Sequence, residues 1–200
     1  LTGFNEAFII NNAKREEILN NCQNDDEKKR TKDIIKPILR GRDIYLYGYQ
    51  WAGLWLIFIP WHFPLHNDNT IQGASEKAEK EFEKQYPVVY KHLCKYKKEL
   101  SNRNKDETGI RYEWYALQRC AATYYPEFEK EKIVWQRVTK TSMFCLVPKG
   151  IYIHDSMAFL TAKYSKYLLA LLNSKVVNKY FESIAHQYGS TGFLCSNQYV

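Results

Sequence analysis

No two cysteines of this sequence stand as a Cys-x-x-Cys pair. The five, Cys22, Cys94, Cys120, Cys145 and Cys195, are odd in number and widely scattered, so neither a zinc knuckle nor a disulfide framework is expected. Long apolar runs are also lacking: the longest, Trp51–Pro60, falls far short of the ~20 residues that a membrane helix needs. With no signal peptide at its start, the chain is expected to be cytoplasmic and to have no membrane partner. Catalytic signatures are missing as well. There is no Gly-x-Gly-x-x-Gly, no Gly-x-Ser-x-Gly, no His-Glu-x-x-His and no supporting pair of carboxylates, so no catalytic residue is assigned. His62 and His66 stand four apart, but Pro64 between them breaks any helix that would align them on a metal. No metal ligand is assigned, and His62 and His66 are expected to be satisfied loop histidines.

Basic residues and aromatics are plentiful. Lys and Arg number 29 against 22 Asp and Glu, a formal charge of +7 that favours polyanionic partners. Aromatics make up 16% of the chain, with 16 Tyr and 5 Trp; most should be buried, but rings beside Lys and Arg also suit a nucleic-acid surface. At 200 residues and 45% hydrophobic, one domain with an ample core is expected. The chain starts at Leu1 without methionine and ends on Tyr199-Val200, and it reads as a piece of something longer.

Periodicity gives the order of elements. Phe4–Ile10 reads as a strand, Lys14–Leu19 as a short helix, and the polar Asn20–Asp33 as a solvated connection. Trp51–Pro60 reads as a buried strand. Ser75 should cap a helix rich in acids, and Pro87 should open a second one that turns Lys91, Lys95, Lys97 and Lys98 outwards. Ser101–Gly109 reads as an exposed charged loop and Tyr112–Arg119 as a short helix. Phe128–Thr139 reads as a strand, followed by a meander of three short strands over Met143–Val147, Gly150–His154 and Ala158–Thr161. One or two packed helices are expected over Tyr164–Tyr180, and a small-residue loop at Gly189–Gly192.

Two stretches carry chemistry. In Ile34–Tyr47 (IIKPILRGRDIYLY) an apolar anchor lies directly against Arg40, Gly41, Arg42 and Asp43. Pro37 and Gly41 shape a tight turn that presents two guanidinium groups; the alternative is a plain surface turn in which Asp43 pairs an arginine. In Phe128–Thr139 (FEKEKIVWQRVT), Lys130, Lys132, Gln136 and Arg137 lie at the strand's ends or opposite face. Arg, Lys and Gln are the side chains that read guanine and adenine edges; the alternative is an edge strand kept apart by charge.

These stretches sit within a series of blocks: TGFNEAFII from Thr2, IKPILRGRDI from Ile35, WLIFIP from Trp55, YPVVYKHLCKYKKEL from Tyr86, WYALQR from Trp114, FEKEKIVWQRV from Phe128, YLLALLNSK from Tyr167 and GSTGFLCSNQYV from Gly189. In content and order they resemble the TaqI-like C-terminal specificity domain of adenine-methylating restriction-modification enzymes. The resemblance implies an α+β fold, a mixed or antiparallel twisted sheet with packed helices, over residues 1–200. It implies recognition of double-stranded DNA on behalf of a catalytic methyltransferase domain of the same parent chain. That half would hold S-adenosylmethionine and the Asn-Pro-Pro-Tyr-type motif, neither of which has a counterpart here, so this chain is expected to be a binder with no cofactor of its own. Arg40 and Arg42 of the RGRD block and Lys132 of the FEKEK block carry over as family positions.

The expected DNA contacts are Lys36, Arg40, Arg42, Lys132, Gln136, Arg137, Ser190 and Thr191. Because the family shares RGRD across many specificities, that block is expected to serve architecture or the DNA backbone, and variable loops to read bases. Two rival readings stand beside this one. One is a metal-dependent nuclease using Asp25, Asp26, Glu27 and Lys28; the other is a protein-interaction module docking through the basic helix Lys91–Lys98.

Overall fold

A computed structural model describes residues 2–120, 125–189 and 192–195. In chain order its elements begin with α1 (Asn5–Phe8), β1 (Ile9–Asn11), α2 (Asn12–Asn20), α3 (Asp25–Ile34), β2 (Ile35–Leu39), β3 (Ile44–Tyr45) and β4 (Gly48–Tyr49). Next are β5 (Leu54–Ile57), α4 (Glu76–Gln85), α5 (Pro87–Cys94), α6 (Lys97–Ser101), β6 (Lys132–Gln136), β7 (Val138–Thr139) and β8 (Phe144–Val147). The chain closes with β9 (Tyr152–Ile153), β10 (Met157–Leu160), α7 (Ser165–Leu172), α8 (Lys175–Ile184), β11 (Gln187–Tyr188) and β12 (Gly192–Leu194). The architecture is α+β. Among the described residues no helix is long and apolar enough to cross a membrane.

The chain, read above as one specificity domain, forms two compact units: Leu1–Pro37 with Gly53–Tyr125, and Ile38–Ala52 with Pro126–Val200. In the first unit β5 is flanked by β1 and by the first half of β2, antiparallel on both sides, with Ile10 opposite Trp55 and Lys36 opposite Leu56. The strand expected over Trp51–Pro60 is confined to its centre. Phe4–Ile10, expected as a strand, instead makes one helical turn before β1. Asn20–Asp33, expected as a loop, is mostly α3: Asn24 caps it, with Oδ1 accepting from the Glu27 N–H at 2.8 Å, and three acids occupy its first turn. Ser75 caps α4 and Pro87 opens α5, as their positions indicate. Tyr112–Arg119 is not a helix; it is a run of turns fixed by burial of Tyr112, Trp114 and Tyr115. In Ser101–Gly109 the charged Arg103 is buried, its guanidinium donating to the carbonyls of Leu100, Thr2, Trp114 and Ala116. Burial pushes its pKa down to about 10.

In the second unit β6 is the centre of the sheet β10–β6–β8, antiparallel to both neighbours. It is not an edge strand. Its two faces feed two cores: Ile133 and Trp135 pack with Phe144, Leu169, Leu172 and Phe181, while Val134 packs with Leu39, Ile44, Cys145, Val147 and Met157. A simple meander is not formed, because β9 leaves this sheet and pairs in parallel with the second half of β2, Ile38 opposite Tyr152. A small sheet, β11–β12–β7, continues from the far end of β6.

Candidate nucleic-acid interface

Arg40 and Arg42, adjacent but for one glycine, have opposite fates. Residues 41–43 make a single 3-10 turn, and Asp43 folds back on Arg40. Its Oδ2 accepts from the Arg40 backbone N–H at 2.8 Å and from Nε at 3.1 Å, and its Oδ1 accepts from Nη2 at 2.8 Å. Burial alone would raise the Asp43 carboxyl; the hydrogen bonds from Arg40 and the charges of Arg40 and Arg42 outweigh it and hold the group below the usual range. Arg40 is thus a strut within the turn, and Arg42 is left exposed. Gly41 is needed here for closeness, since its φ is not left-handed. A Cβ on it would fall 2.9 Å from Cγ of Gln136.

Gln136 is the last residue of β6, opposite Met157 at the start of β10. Beyond it the Arg137 N–H donates to the Ser156 carbonyl at 3.0 Å, and the Arg137 carbonyl accepts from the Cys195 N–H at 2.7 Å. The Arg137 side chain is exposed. The loop His154–Ser156 is tied in by the His154 N–H, which donates to the Leu39 carbonyl at 2.8 Å. The hairpin β3–β4 closes the same end: the Tyr47 N–H donates to the Phe144 carbonyl at 3.2 Å, and Phe144 lies opposite Trp135. One end of the β10–β6–β8 sheet therefore collects Arg42, Gln136, Arg137, His154 and Ser156 from three separate stretches of chain. The last two, and the hairpin, were not singled out from the sequence. Chain-wide periodicity carries no sign of a parallel β2–β9 contact, which is what brings residue 154 beside residue 39.

Lys132 corrects an expectation. It starts β6 at the opposite end of the strand and is fully buried. Its Nζ donates to the carbonyls of Phe128 at 2.8 Å and Lys130 at 3.0 Å, and the ammonium lies 6.0 Å from the Phe128 ring centroid. A side chain so enclosed cannot reach DNA. Lys36 is half-buried in the first unit, and Ser190 and Thr191 lie outside the described residues.

The nuclease rival loses its central carboxylate. Glu27 is buried, with Oε2 accepting from the Gln23 N–H at 2.7 Å and Oε1 from the Val88 N–H at 3.3 Å. It joins the N-termini of α3 and α5. Among the described residues no group of three His, Cys, Asp or Glu is placed to hold a metal ion. His62 is a satisfied loop residue: its N–H donates to Glu113 Oε2 at 2.8 Å and its Nδ1 lies 3.0 Å from Oε1.

Residues 36–192 match the family model of the TaqI-like C-terminal specificity domain. No curated protein matches the chain. Among solved structures the chain is similar to the Type IIL restriction-modification enzyme MmeI, determined in complex with DNA, with a TM-score of 0.56 at 9% identity. The similarity covers 95% of this chain and 22% of that one. At that identity it speaks for the fold, and the chain spans less than a quarter of the MmeI length.

Proposed function

The chain belongs to the family of TaqI-like C-terminal specificity domains, and from that premise we propose that it recognises a double-stranded DNA sequence through the end of the β10–β6–β8 sheet. The observation that carries this reading is the convergence of Arg42, Gln136 and Arg137 on one rigid frame. Gly41 packs against Gln136, and the Arg40–Asp43 pair locks the turn that offers Arg42. Arginine can grip guanine O6 and N7 in a bidentate fashion, and glutamine can do the same at adenine N6 and N7. Arg42, on the family's shared block, serves the phosphate backbone; Gln136 and Arg137, at a strand end framed by loops, read base edges. Of the two carboxylates at this end among the described residues, Asp43 is engaged within the turn by Arg40 and Asp155 lies 2.8 Å from His154 Nδ1, so neither is paired with Arg42 or Arg137.

Cutting or methylating lies outside this chain. A methyltransferase half of the same parent, holding S-adenosylmethionine and acting on adenine after extruding it from the stack, would use this domain to choose the site. The test is selection of retained duplexes from a randomised pool at two salt concentrations. One short motif that survives the higher salt is expected, and Arg137→Ala and Gln136→Ala should each relax it at one position, at a cost of about 1–3 kcal/mol. Retention with no motif, collapsing as salt rises, would reduce the domain to a backbone clamp.

A further inference from the structure

The hairpin that follows the RGRD turn has an apolar tip. Strands β3 and β4 pair Ile44 with Tyr49 and Tyr45 with Gly48, leaving Leu46 and Tyr47 as the two-residue turn. The base is secured: Ile44 is buried in the core, Tyr49 packs against it, and the Gln50 N–H donates to the Asp43 carbonyl at 2.8 Å. The tip is not covered, with Tyr45, Leu46 and Tyr47 exposed by 54%, 48% and 52%. The Tyr45 ring closes on Gly48, where a Cβ would fall 2.5 Å from Cε2. Tyr47 adopts φ +65°, a left-handed conformation that glycine or asparagine takes more readily. A solvent-facing turn would ordinarily carry those residues. Here it carries a leucine and a strained tyrosine, a choice that neither folding nor solvation favours and that points to use.

What the tip meets follows from where it stands. It continues without a break from exposed Arg42, and its backbone is bonded to the strand next to Gln136 and Arg137. Cations flanking a narrow apolar protrusion suit a duplex: the cations hold phosphates while the apolar side chains leave water between base pairs. Resting on the DNA-recognition reading, we infer that Leu46 and Tyr47 form a wedge that enters the stacked bases and unstacks one step. The domain thereby favours sites containing a flexible pyrimidine–purine step, where such opening costs least.

The experiment uses the whole 200-residue chain and a closed circular plasmid relaxed by a topoisomerase in its presence, with filter retention measured in parallel. Wild type should be retained and should lower the linking number after protein removal, because unstacking unwinds the helix. Leu46→Ser should lose the linking change while retention falls by less than about tenfold, since phosphate contacts carry most of the affinity. Tyr47→Gly removes the backbone strain, so it should melt at or above the wild-type temperature and still lose the linking change, which separates wedge from fold. Retention without unwinding, or equal unwinding by Leu46→Ser, overturns the wedge and leaves DNA recognition standing, with the tip then available to a second protein. If wild type is not retained at all, DNA recognition fails first and the wedge falls with it.

Discussion

Lys132 shows how far a residue's setting can depart from its type. In sequence it belongs with Gln136 and Arg137 as a basic residue on a strand, and alternation places it at an exposed end. The strand is central, so both faces are covered and its first side chain is enclosed. Burial pushes its pKa down to about 8, with the nearby charge of Glu129 opposing. An unfolded lysine titrates near 10.4. Between those values the unfolded chain holds the proton and the folded one releases it, so this group's contribution to stability rises with pH. Burial raises the cysteine thiols, Cys120 and Cys145 to about 12, and that trend opposes the lysine but is common to any variant. Urea unfolding of wild type and Lys132→Met at pH 7.5 and 9.5 should therefore show wild type gaining on the variant by about 1–2 kcal/mol. Parallel pH profiles would mean that the ammonium is hydrated. Arg40 and Arg42 give the same lesson: composition offers two equal guanidinium groups, and only the backfolded Asp43 separates strut from contact.

Elements were legible where a local signal decided them. Ser75 and Pro87 marked helix starts because a cap and a fixed φ act within a few residues. The missed helix α3 had such a signal too, in Asn24 followed three residues later by Glu27, but its low hydrophobicity hid it. Tyr112–Arg119 failed the other way, since helical spacing of apolar residues there reflects burial from all sides. Glu27 ties the element scale together by accepting from the backbone of both helix starts. Glu27→Gln keeps the shape but removes the negative charge and one acceptor, and should lower stability by about 1–2 kcal/mol. Hydrogen exchange should show the Val88 and Gln23 amides opening together. An unchanged urea midpoint would show that the carboxylate is dispensable for the fold and return it to the candidates for chemistry.

At the scale of the whole molecule, the order of family blocks was readable, but the interleaving was not: the chain leaves the first unit after Pro37, returns at Gly53 and leaves again after Tyr125. Nothing local in the sequence announces those crossings. Net charge is likewise a whole-chain property that does not say where DNA is held. Lys91, Lys95, Lys97 and Lys98 are all exposed in the first unit and contribute much of the formal +7, yet exposed charge acts only over about 8 Å at physiological salt. If reading is done by the end of the β10–β6–β8 sheet, reversing three of these charges with Lys91→Glu, Lys95→Glu and Lys98→Glu should weaken binding mainly at low salt and leave the selected motif unchanged. Arg42→Ala should instead reduce the slope of log affinity against log salt by about 1 at every sequence tested, the mark of one lost phosphate contact. Were the triple variant to change the motif itself, base reading would have to move to the first unit, and the basic stretch Lys91–Lys98, which the structure divides between α5 and α6 rather than forming the single helix expected, would become the recognition element in place of Gln136 and Arg137.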